Sequence, residues 1–279
     1  MKLGFVSNYD EREVEFAASH GFDCLELIAM PGAPLYTLAE SGRIKDVARA
    51  FERSGVRISS LGLANNPLAP GQEGEQARAH YTWVIRICEE LGVDTITTST
   101  GQHKGASLGE NWRLLREVWT PIVEQAGRKG INILFENCPH GYPTGMNLAI
   151  APSFWRKVFE ALPGANVGLE YDPSHLVWQF VDYLAPISEF GPRIMRVHAK
   201  DTEINALELG KVGFYGQGWW RYRLPGAGQV NWQAFFMRLR EVGYDGDILI
   251  EHEDPVFEGP RRLEGLLIGH KYLGQFIYG

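Results

Sequence analysis

The feature that most constrains this chain is one punctuation used five times. A helical stretch ends, a glycine follows, and an apolar then a polar residue lead into a β-branched or apolar run. The instances are Gly21-Phe22-Asp23, Gly55-Val56-Arg57, Gly92-Val93-Asp94, Gly130-Ile131-Asn132 and Gly243-Tyr244-Asp245. Glycine just past the last helical turn is a common left-handed stop, because without a Cβ it takes positive φ at little cost. The same stop at the same place means that the chain repeats one supersecondary unit.

The runs that follow read as strands: LGFVS, CLELI, RISSLGL, TITTST, INILFEN, NVGLEYD, IMRVHAK and DILIEHE. They recur roughly every 35 residues, the length of one strand–helix unit. Helical segments lie between them: DEREVEFAASHG, opening on Asp10 as a cap, TLAESGRIKDVARAFERSG, EQARAHYTWVIRICEELG and GENWRLLREVWTPIVEQAGRKG. Eight such units predict the α/β class and a single (β/α)8 TIM barrel over residues 1–279. A doubly wound open sheet is the rival. It would be favoured by GxGxxG after the first strand, where SNYDER stands instead.

Composition narrows the function classes. Hydrophobic residues make up 44% and charged residues 22%, as in ordinary soluble globular proteins. The net charge of −7 argues against a nucleic-acid partner. No apolar run approaches the roughly 20 residues that span a bilayer, so no membrane partner is expected. MKLGFVSNYD is too short an apolar stretch for a signal peptide. Cys24, Cys88 and Cys138 are scattered, with no CxxC, and read as free thiols of a reducing compartment; a cytoplasmic location is the expectation.

In a β/α barrel the chemistry sits at the carboxyl ends of the strands. The fifth run ends on Glu136, the sixth on Asp172, the seventh on His198 and the eighth on Glu251. Any one of these has an ordinary explanation. Asp172 before Pro173, for instance, is a natural helix cap. Four in register are another matter, since three crowded carboxylates would repel one another without a cation. Two glutamates, an aspartate and an imidazole suit Mn2+ best, with Mg2+, Co2+ or Zn2+ as alternatives.

The placement of FEN, YDPSH, VHAKD and IEHED, with LPGAGQVNW at Leu224–Trp232, resembles the xylose isomerase-like TIM-barrel superfamily over essentially the whole chain. Within it the sugar phosphate isomerase/epimerase group, with its ketose 3-epimerases, is most similar. The resemblance implies one divalent ion held by Glu136, Asp172, His198 and Glu251, chelating a hydroxyl and a carbonyl oxygen of a sugar or polyol. It further implies Glu136 and Glu251 as an acid/base pair that moves a proton through a metal-stabilised cis-enediolate. The same intermediate can expel a β-leaving group, so a metal-dependent lyase or dehydratase on a keto-sugar, inositol or cyclic polyol derivative is the alternative. Apurinic endonucleases share the superfamily, but their multi-metal sites are richer in histidine than a chain with eight.

Other rim residues carry two readings each. His175, one turn after Asp172, is a substrate contact by family analogy, or a first-turn histidine. Lys200 and Asp201 orient neighbouring groups or begin a loop, and His103 and Asn65 are rim candidates for substrate binding. Glu26, inside the second run, either faces the barrel interior near the site or is buried and paired with Arg or Lys, the second reading being preferred. The glycine-rich stretch at about 202–230 has the composition of a lid. Its Trp219, Trp220 and Tyr222 offer faces for a sugar, while Arg221 and Arg223 suit carboxylate or phosphate. The same cluster would serve a contact between copies of the chain, which leaves a homo-oligomer open.

Overall fold

The computed structural model describes residues 1–139 and 147–278. Among them ten strands form: β1 (Lys2–Ser7), β2 (Cys24–Ile28), β3 (Arg57–Gly62), β4 (Thr95–Thr98), β5 (Asn132–Glu136), β6 (Val167–Tyr171), β7 (Ile194–Ala199), β8 (Asp201–Ile204), β9 (Trp220–Arg223) and β10 (Asp247–Ile250). Eight of them close into a barrel in the order β1-β10-β7-β6-β5-β4-β3-β2, and β8 and β9 make a separate two-stranded sheet. All eight expected runs are strands, and the five glycine stops all sit at φ between 67° and 76°.

The chain divides into two compact units, Ser7–Glu170 and Met1–Val6 with Tyr171–Gly279. In the first, β2 to β6 pair in parallel, neighbour to neighbour. Its core is built around Trp119, fully buried between Tyr81 and Phe135 with ring centroids 4.8 Å away on each side. Its indole N–H donates to the carbonyl of Thr100 at 2.7 Å, so the polar edge of a buried tryptophan is satisfied.

One expected helix is two. Residues 37–55 break into Pro34–Glu40 and Ile44–Ser54. Gly42 turns left-handed at φ 73°, and the Arg43 N–H returns to the carbonyl of Leu38 at 2.8 Å, which closes the first helix before the second begins.

In the second unit β1 pairs with β10 and β10 with β7, all parallel. Trp232, Phe235, Phe236 and Leu239 of helix Trp232–Glu241 are buried, and Phe236 stacks on Phe276 of helix Arg262–Ile277 at 5.4 Å. Residues 201–223 are an antiparallel hairpin, β8 and β9, carrying helix Ala206–Val212 in its connection. No helix among the described residues is long and apolar enough to cross a membrane.

Candidate functional site

The second unit gathers its polar residues where β6, β7 and β10 end. Asp172 follows β6 directly and caps helix Pro173–Trp178, its Oδ1 accepting the N–H of Ser174 at 2.7 Å. Proline at the first helical position needs no hydrogen bond there, so the helix starts at once and His175 comes round one turn later. His198 is the penultimate residue of β7, and Glu251 follows the last residue of β10. Asp172, His198 and Glu251 each offer one ligand atom, and these atoms lie within 4.8 Å of one another. His198 Nδ1 is 3.3 Å from Glu251 Oε2, and His175 Nε2 is 3.3 Å from Asp172 Oδ2. Two carboxylates and an imidazole converging at this spacing form a donor set that fits a divalent ion.

Lys200, just past β7, lies inside the same cluster and is 1% exposed. Its ammonium donates to Glu251 Oε2 at 2.5 Å and Glu253 Oε2 at 2.9 Å, and approaches Asp172 Oδ2 at 3.4 Å. Burial alone would push the lysine down; Glu251, Asp172 and Glu253 outweigh it and hold the amine well above the usual lysine range. Tyr222 of β9 completes this side. Its hydroxyl is 2.8 Å from His175 Nδ1, and its ring lies under the Lys200 ammonium, 4.3 Å from the centroid.

Asp201 is a structural anchor for the following loop. Its Oδ1 accepts the N–H groups of Thr202 and Val230, its Oδ2 those of Gly226 and the Trp232 indole, all at 2.8–2.9 Å. Burial still pushes this carboxyl above its ordinary range, against the downward pull of those donors. Trp219 is buried against Phe180 and Phe214, its indole N–H donating to the Phe214 carbonyl at 3.1 Å. Arg221 is 50% exposed in its side chain and bonded to Glu203; Arg223 bridges Glu203 and Asp254. Both arginines are thus matched by carboxylates within their own unit. Asp254 is held below its ordinary range: burial pushes it up, but the N–H groups of Leu224 and Val256 and the Arg223 guanidinium prevail.

In the first unit Glu136 ends β5. Asn147 fixes the segment it stands on, donating to the carbonyls of Glu136 and Cys138, each at 2.8 Å. The Asn147 Oδ1 in turn accepts from the Thr100 N–H at 3.1 Å, the Thr100 hydroxyl at 2.9 Å and the Ala149 N–H at 3.0 Å. Glu26 is buried and accepts a hydrogen bond from Ser60 Oγ at 2.5 Å. His103 is pinned through its backbone N–H and carbonyl to the Asn111 amide, at 2.8 and 3.0 Å, and the carbonyl of Asn65 accepts from Ser99 at 3.4 Å.

Three participants were missed from sequence: Glu253, Tyr222 as a partner of His175 and Lys200, and Asn147. Glu253 had a signal, since past a strand end residues 251 and 253 tend to share a side. Tyr222 reads from sequence as a face for a sugar, but its pairing with His175 and Lys200, like the contacts of Asn147, had no signal, because long-range pairing alone brings them in.

A family model described as xylose isomerase-like TIM barrel matches residues 14–270. The chain is 27% identical to the uncharacterized protein YfiH of Bacillus subtilis over 91% of its length and 93% of that protein's. It is 29% identical to an inosose dehydratase of Geobacillus thermodenitrificans, over 54% of this chain and 50% of that one. Among solved structures, an IolI protein with a bound zinc superposes with a TM-score of 0.80 at 20% identity, covering 99% of this chain and 98% of that one. A D-psicose 3-epimerase of Clostridium cellulolyticum superposes with a TM-score of 0.77 at 15% identity, covering 99% of each chain.

Proposed function

Since the chain belongs to the xylose isomerase-like TIM barrel family, we propose that it is a divalent-metal-dependent enzyme that moves a proton at the carbon beside the carbonyl of a keto-sugar or keto-polyol, as an isomerase or epimerase. The observation that carries this reading is the convergence of Asp172, His198 and Glu251. Glu136, which ends β5, is the fourth ligand in this proposal. An ion held by these residues would supply Lewis acidity, polarising a carbonyl oxygen and acidifying the neighbouring C–H. Mn2+ is the preferred ion; the zinc of the IolI structure supports a divalent cation in general.

Glu136 and Glu251 are the acid/base pair: one takes the proton and the other returns it to the opposite face of an enediolate. His175 and Lys200 are assigned to the substrate's oxygens, with Tyr222 keeping His175 in place through the 2.8 Å contact to its Nδ1. The substrate is a sugar or polyol, in keeping with the names of the relatives. A second reading, dehydration of an inosose-like ketone, is favoured by the sequence matches to inosose dehydratases.

Incubation with ketohexoses and inososes in deuterated water, with Mn2+, Mg2+, Co2+ or Zn2+, tests both. The expected product has lost no atoms and carries solvent deuterium at one carbon. Glu136→Gln and Glu251→Gln are each expected to lower kcat by about 10²- to 10⁴-fold. Loss of water from the substrate would establish the dehydratase reading instead. Deuterium uptake at wild-type rates in both variants would sink the acid/base assignment.

A further inference from the structure

We infer that Lys200, besides its assigned contact to substrate, sets how tightly the metal centre holds its ion, by competing for the oxygens that bind it. The inference rests on the metal reading above. The Lys200 ammonium lies 2.5 Å from Glu251 Oε2 and 3.4 Å from Asp172 Oδ2, oxygens of two proposed ligands. It is 1% exposed, and Tyr222 backs it at 4.3 Å. An ion held by Asp172 and Glu251 therefore has a fixed positive charge as its neighbour, in surroundings where charges interact more strongly than in water.

Glu253 gives that charge somewhere to go. Its Oε2 accepts from the same ammonium at 2.9 Å, its side chain is 48% exposed, and it is outside the proposed ligand set. The lysine thus spans ligand and non-ligand carboxylates. With no ion bound it offsets the repulsion among them; with an ion bound, Glu253 keeps it satisfied. No bond or proton changes hands. Two opposite effects follow. Removing the lysine tightens ion binding, because a competing cation is gone. Removing the Glu253 charge loosens it, because the lysine is left wholly to the ligands.

The experiment is calorimetric titration of metal-stripped full-length protein with Mn2+ and with Zn2+, for wild type, Lys200→Met, Glu253→Gln and the double variant, with circular dichroism as the check on folding. Lys200→Met is expected to bind at least about tenfold tighter, and to melt at a lower temperature in chelator. Glu253→Gln is expected to bind several-fold weaker, and most of that loss is expected to vanish in the Lys200→Met background. Folded Lys200→Met that binds no tighter overturns the inference, as does an undiminished Glu253→Gln effect in the double variant. Should Lys200→Met fail to fold, Glu253→Gln decides: weaker binding supports the inference and unchanged binding overturns it. A wild type that binds neither ion removes the metal reading itself and the inference with it.

Discussion

His80 contributes to the pH response of the first unit through its burial. Burial depresses its pKa below the ordinary histidine value, and its Nε2–H donates to the carbonyl of Ala29 at 2.7 Å while its ring stacks on Trp83. The folded protein therefore resists protonating it, and the unfolded chain does not. Its contribution is complete above the unfolded value of about 6.5 and is lost as pH falls from there through the folded value. Urea denaturation at about pH 7.5 and pH 5.5 is expected to show lower stability at the acid end, and a shallower loss in His80→Gln. An equal loss in the variant would acquit His80. At this scale the sequence was informative where a residue ends a strand, as with Asp172, His198 and Glu251. It was ambiguous where a carboxylate could face either chemistry or a loop: Asp201 follows His198 by three residues, yet its oxygens serve four N–H donors of its own unit.

Among the elements, the segment from β8 to the Trp232 helix depends on that one aspartate. A Cβ on Gly228 would lie 2.3 Å from Asp201 Oδ1 and 2.6 Å from the Thr202 carbonyl, so the loop closes over the carboxylate only with glycine there. Asp201→Ala leaves buried N–H groups without their acceptor and is expected to cost about 3 kcal/mol or more. Gly228→Ala is expected to loosen the same loop, read as faster amide exchange at Gly226 and Val230; wild-type exchange rates in both variants would contradict the anchor. The barrel strands were readable because each is a buried apolar run met by a stereotyped stop. The β8–β9 hairpin was not: its strands are four residues each, and ion pairs among Glu203, Arg221, Arg223 and Asp254 stabilise it where apolar alternation would have been visible. The break at Gly42 was hidden for a related reason, since one glycine inside a helical pattern is often tolerated.

At the scale of the whole molecule, strand β1 belongs with residues 171–279, although the first unit separates them in sequence. Lys2 to Phe5 pair with Asp247 to Ile250. Residues 2–5 are made well before their β10 partners at 247–250. Within Ser7–Glu170, by contrast, β2 to β5 pair neighbour to neighbour along a contiguous run. Asp172, His198 and Glu251 all come after it, so the three converge only once β10 has been made. Chains arrested before residue 247 leave the β10-facing edge of β1 unpaired, and are expected to be cut by protease at residues 2–5 faster than chains in which β10 has emerged. Early protection would mean that the first strand finds another partner while it waits.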